Sequence, residues 1–124
     1  MQVEHYQHEA GKTSTPYIVA SRRFTGRGSI YEEPWIRLAY LGLKLSGEAG
    51  EVSEKIGKQL RDMNGIITDK FTDDLIKELG DVQWYIANIC SELGITLETV
   101  MQRNLDKLAD RQQRGVLQGS GDDR

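Results

Sequence analysis

Gly47-Glu48-Ala49-Gly50-Glu51-Val52-Ser53-Glu54 reads as the middle of a helix, and that reading decides the class of the chain. Around it Leu38, Leu41, Leu45, Ala49, Val52, Ile56 and Leu60 recur every three or four residues and make one apolar stripe at the helical period. The acids stand off that stripe. At roughly 100° per residue, Glu48 sits about 60° and Glu51 about 120° to one side of the line through Leu45, and Glu54 about 180° from it.

A second stripe follows in Leu75, Leu79, Val82, Ile86, Ile89 and Leu93, and it carries a second acid pair, Glu78 and Asp81. These two acids have about the same offsets, on the same side, as Glu48 and Glu51. Acids three apart on a helix share a face, so each pair can aim two carboxylates at one point. In an antiparallel pair of helices packed stripe to stripe, equal offsets fall on one side of the contact and the four carboxylates converge. Such a cluster repels itself without a cation, and an all-oxygen donor set suits magnesium or manganese rather than zinc. Glu48, Glu51, Glu78 and Asp81 are therefore the expected ligands, with Glu54 outside them. One difficulty is the register: a tight hairpin would leave the pairs offset by roughly 9 Å along the axes.

The remaining elements are spelled by their ends. A short first helix is expected from Val3 to about Lys12. The stretch 13–34, with Ser14-Thr15-Pro16, Thr25-Gly26-Arg27-Gly28-Ser29 and the cations Arg22, Arg23 and Arg27, has loop chemistry. It is either a solvated connector or a lid that reaches an anionic ligand. The second helix starts near Pro34 and stops at about Asp62, before Asn64-Gly65. The third begins with Thr72 as its cap and Asp73 and Asp74 in the first turn. Gly94 ends it. Thr96 caps a fourth helix with the stripe Leu97, Val100 or Met101, Leu105 and Leu108, which fades near Gly115 into a flexible tail over about 115–124. No strand alternation competes. The expected fold is all-α, an antiparallel bundle of four to five helices in a single domain over residues 1–124.

On the fourth helix Asn104, Lys107 and Arg111 gather on one side of the stripe. They are either a solvated basic edge or, beside a bound cation, a clamp for phosphate oxygens. On the third helix Trp84 lies opposite the stripe, so that helix is packed on a second side, and in so small a chain a subunit contact would supply it. A homo-oligomer is expected.

The whole composition narrows the partners. Net charge is −3 with both signs interspersed, so there is no basic stripe for nucleic acid. No apolar run is long enough for a membrane span, and the start Met1-Gln2-Val3-Glu4-His5-Tyr6 lacks a signal pattern. The one cysteine, Cys90, falls in an apolar helical run and points to a reducing, cytoplasmic location.

Three stretches, Gly42-Leu43-Lys44-Leu45-Ser46-Gly47-Glu48-Ala49-Gly50-Glu51-Val52-Ser53-Glu54, Lys77-Glu78-Leu79-Gly80-Asp81-Val82-Gln83-Trp84-Tyr85 and Asn104-Leu105-Asp106-Lys107-Leu108-Ala109-Asp110-Arg111, resemble the MazG-like nucleotide pyrophosphohydrolases. Tyr6-Gln7 with Ala10, and Arg114-Gly115 with Gly119-Ser120-Gly121-Asp122-Asp123-Arg124, are similar to the short single-domain members of that group. The resemblance implies an all-α fold and magnesium-dependent cleavage of a nucleoside triphosphate, NTP or dNTP, to the monophosphate and pyrophosphate. Carried over by position, it implies Glu48, Glu51, Glu78 and Asp81 as metal ligands, and Asn104, Lys107 and Arg111 as phosphate contacts. It also implies a homodimer or homotetramer with sites near subunit contacts. Glu51 is the expected acceptor of the proton from the attacking water. The rival readings are a non-catalytic helical module that senses a nucleotide or binds a partner, and a relative acting on another phosphorylated metabolite such as phosphoribosyl-ATP.

Overall fold

A computed structural model describes residues 1–14 and 33–122. Most of the expected loop, including Arg22, Arg23 and Arg27, lies outside the described residues. Among those described, four helices and no strand form the chain: α1 Val3–Lys12, α2 Glu33–Met63, α3 Asp69–Glu92 and α4 Leu97–Gln113. The class is all-α, as the periodicity requires. None of these helices is long and apolar enough to cross a membrane.

The helix ends follow from local chemistry. Asn64 and Gly65 both take positive φ and close α2. The start of α3 differs from the expectation: Thr68, not Thr72, is the cap, and its hydroxyl accepts from the Phe71 amide at 3.1 Å. Thr72 already bonds back to the Thr68 carbonyl, so it belongs to the first turn. At the far end of α3, Gly94 has φ 65°. Its amide bonds to the Ser91 carbonyl while the Ile95 amide bonds to Cys90, a paired closure that needs a left-handed residue and so favours glycine. Gly115 does the same for α4, with the Val116 amide on the Arg111 carbonyl. Thr96 caps α4 by accepting from the Thr99 amide at 3.0 Å.

α2 and α3 pack as an antiparallel hairpin. Arg37 near the start of α2 pairs with Glu92 at the end of α3, and Lys55 further along α2 pairs with Glu78 nearer the start of α3. The earlier start of α3 adds four residues, about 6 Å of helix, and takes up most of the expected axial offset.

α1 lies against the C-terminal half of α3 and the start of α4. There Ala10, Ala87, Cys90 and Leu97 are buried together, with Val3, Tyr6, Trp84 and Ile86 packed around them. Gln7 ties the three helices by donating to the Ser91 hydroxyl and the Ile95 carbonyl and accepting from the Leu97 amide at 2.7 Å, an otherwise unpaired donor at the start of α4. The second packed side of α3 is thus explained within the chain: Trp84 faces α1 and its indole donates to the Thr13 hydroxyl at 2.8 Å. No subunit contact is needed to account for Trp84. Among the described residues the distal half of the hairpin has only its two helices, and Ile56, Leu60, Ile76 and Leu79 are exposed there.

Candidate metal and phosphate site

Glu48 projects from α2, and Glu78 and Asp81 project from α3, because the hairpin sets the acid edges of the two helices side by side. One oxygen from each of the three carboxylates lies within 4.8 Å of the others. An octahedral magnesium ion with oxygens at about 2.1 Å keeps them roughly 3 to 4 Å apart, so small side-chain rotations close the set. Three carboxylates, with neither histidine nor cysteine in the group, are the donor chemistry of a hard cation. The residues fit magnesium or manganese.

Glu51 is outside this three-oxygen group. It lines a neighbouring groove of about 530 Å³ between α2 and α3, together with Lys55, Lys58, Lys70, Asp74 and Glu78. Glu54 is exposed, pairs with Lys58 at 2.8 Å and lines the same groove, and it is outside the three-oxygen group.

Two lysines attend the cluster. Lys44 reaches Glu48 at 3.2 Å along the same helix, with its ammonium 5.9 Å from the centre of the Tyr85 ring. Lys55 crosses from α2 to Glu78 on α3 at 2.9 Å. The hydrogen bond to the carboxylate in each pair raises the lysine above its ordinary value. Neither lysine was singled out by the sequence motif. The signal for Lys55 was available: it stands seven residues after Glu48, almost the same direction on the helix. Tyr6 of α1 is also near, and burial, followed by the charge of Asp81, raises its phenol above the usual tyrosine value.

The basic row of α4 takes a different partner. α4 packs against α1 and α3 and, among the described residues, not against α2. Past Gly115 the chain returns along α4, and Asp122 accepts from Lys107 at 3.2 Å and from Arg111 at 3.3 Å. Arg111 is buried and also donates to the carbonyls of Gly121 and Asp122. Lys107, with Arg111 next, holds the Asp122 carboxyl below the usual range. Asn104 is exposed. Up to Asp122 the segment expected to be flexible therefore has specific contacts, and nothing in its glycine-rich composition announced them.

The sequence pattern of the MazG nucleotide pyrophosphohydrolase domain matches residues 38–116. The chain belongs to the MazG nucleotide pyrophosphohydrolase family. The Gene 37 protein of Mycobacterium phage L5 is 54% identical over 87 residues, which make up 70% of this chain and 76% of that relative. No solved structure matches this chain. The MazG match includes Glu48, Glu51, Glu78, Asp81, Asn104, Lys107 and Arg111, and leaves out α1 with Tyr6 and the returning segment with Asp122.

Proposed function

We propose that this MazG domain is a magnesium-dependent pyrophosphohydrolase of the cytoplasm that converts a nucleoside triphosphate to a monophosphate and pyrophosphate. The observation that supports this most is the convergence of Glu48, Glu78 and Asp81 from two helices of a chain in this family. These three, with Glu51 beside them, would hold magnesium, with manganese as the natural substitute. The ion supplies positive charge that polarises the triphosphate and lowers the pKa of the attacking water.

Glu51 has the freedom the remaining step requires. It is exposed and at the edge of the carboxylate group, so it serves as acceptor for the proton that the water gives up. Asn104, Lys107 and Arg111 are the proposed contacts for phosphate oxygens, offsetting charge on the pyrophosphate leaving group. A phosphate oxygen offers Lys107 and Arg111 the same acceptor chemistry that the Asp122 carboxylate offers them now. The domain acts as a homodimer or homotetramer, a reading supported by the exposed apolar residues of the hairpin.

The test is a panel of ribo- and deoxyribonucleoside triphosphates incubated with and without EDTA, with products resolved. Monophosphate and pyrophosphate that form only with magnesium are expected. Glu51→Gln should lower kcat by roughly 100-fold or more, and Asp81→Asn should raise the magnesium concentration needed for half-maximal activity. Folded variants that turn over normally would sink the assignment. No turnover of any triphosphate would favour a sensing module, and turnover confined to one other phosphorylated metabolite would favour the narrower relative.

A further inference from the structure

The cation-binding carboxylates do not stand alone in the folded chain, and their two lysine partners are not equivalent. Lys44 lies one turn before Glu48 on α2, and its ammonium is placed near the Tyr85 ring. That pairing is built from one helix and a neighbouring aromatic face. Lys55 spans two helices, and its ammonium sits on the Oε1 atom of Glu78, one of the three cluster residues. Its side chain is 30% exposed and opens on the groove of about 530 Å³, where Lys58 and Lys70 are paired with Glu54 and Asp74 and where Glu51 and Asp62 also lie, so the charge of Lys55 matters to any anion that enters. A divalent cation drawing on Glu78 must compete with an ammonium already there, because like charges at that range repel. A lysine is suited to being displaced: it is a point charge on a flexible four-carbon stem, with no planar fork to hold it in register.

We propose that Lys55 is an exchangeable counter-ion, which neutralises Glu78 in the metal-free protein and turns into the groove to meet a substrate phosphate once the cation binds. The first half rests on the geometry of the carboxylates alone. The second half rests on the hydrolase reading given above. Together they make metal and triphosphate binding ordered: the ion releases a positive charge into the groove at the moment an anionic substrate needs one. They also explain why a lysine, seven residues beyond Glu48 on the same helix face, is tolerated beside a cation site.

The two halves are read by two measurements on full-length protein. Manganese titrated into nucleotide-free wild type, Lys55→Gln and Lys55→Arg by calorimetry reports the competition. Removing the charge should tighten manganese roughly two- to fivefold, the scale of a partly exposed ion pair, and Lys55→Arg, whose planar fork holds Glu78 more firmly, should bind manganese no more tightly than wild type. Steady-state kinetics at saturating manganese should then show a raised KM for the triphosphate in Lys55→Gln, with the opposite sign from the metal effect. A merely structural role would weaken both, and circular dichroism shows whether helicity is intact. Manganese affinity that is unchanged or weaker in Lys55→Gln, or a KM that does not rise, overturns the proposal. If the wild type hydrolyses no triphosphate, the hydrolase reading fails with the second half, and the calorimetric comparison still decides the first.

Discussion

Asp74 sits between Lys70 and Lys77, one turn to either side, and accepts from their ammoniums at 2.5 and 3.1 Å. The bond from Lys70, and then that from Lys77, holds its carboxyl down to about 2. It lines the same groove as Lys55, Lys58 and Lys70, so its charge persists there across the whole working range of pH. A depressed carboxyl stabilises the fold fully above its unfolded value, about 3.9, and that contribution disappears as pH falls through about 2. A carbon-detected NMR titration should find the Asp74 midpoint near 2, and Asp74→Asn should lower stability at neutral pH while leaving it unchanged in strong acid. A midpoint near that of a free aspartate would remove the lysine bracket.

The start of α3 governs the alignment of the acid pairs, and it depends on one hydroxyl. Thr68 satisfies the Phe71 amide, whereas Thr72, the residue the Thr-Asp-Asp pattern recommended, is already inside the helix. Both have a hydroxyl followed by acids, so composition favours neither. What separates them is that starting at Thr68 gives α3 another turn to lay against the end of α2. Thr68→Ala should cost about 1 kcal/mol and lower the melting temperature by several degrees. Thr72→Ala should fall within about 0.5 kcal/mol of wild type, as an exposed residue beyond the cap. Calorimetric melts of the two variants check the assignment, and equal effects would contradict it.

At the scale of the molecule, burial is uneven. The core of Ala10, Ala87, Cys90 and Leu97 is gathered where α1, α3 and α4 meet, while Leu60 and Leu79, members of the two long apolar stripes, remain 66% and 49% exposed. Among the described residues only α2 and α3 meet there, which leaves stripes of this width partly uncovered, and a further copy of the hairpin would cover them. Sedimentation should therefore give a mass at least twice the 14.0 kDa of the chain, and Leu60→Glu should shift it toward the monomer without loss of helicity. A wild-type monomer would end that reading.

The sequence by itself determined the all-α class, the extents of α1, α2 and α4 to within a residue or two, and the two glycine closures at Gly94 and Gly115. These depend on period, capping hydroxyls and left-handed φ, which act between residues a few positions apart. It also put Glu48, Glu51, Glu78 and Asp81 on facing edges, since an angular offset is a property of one helix, although only Glu48, Glu78 and Asp81 come together as a group. Only the tertiary structure decided their separation, because axial register depends on where α3 begins and on how the hairpin closes. The same holds for Lys55 on Glu78, Tyr6 near Asp81 and Asp122 on Lys107 and Arg111. Each of these joins residues from different segments, and their proximity is fixed by packing, which local pattern does not encode.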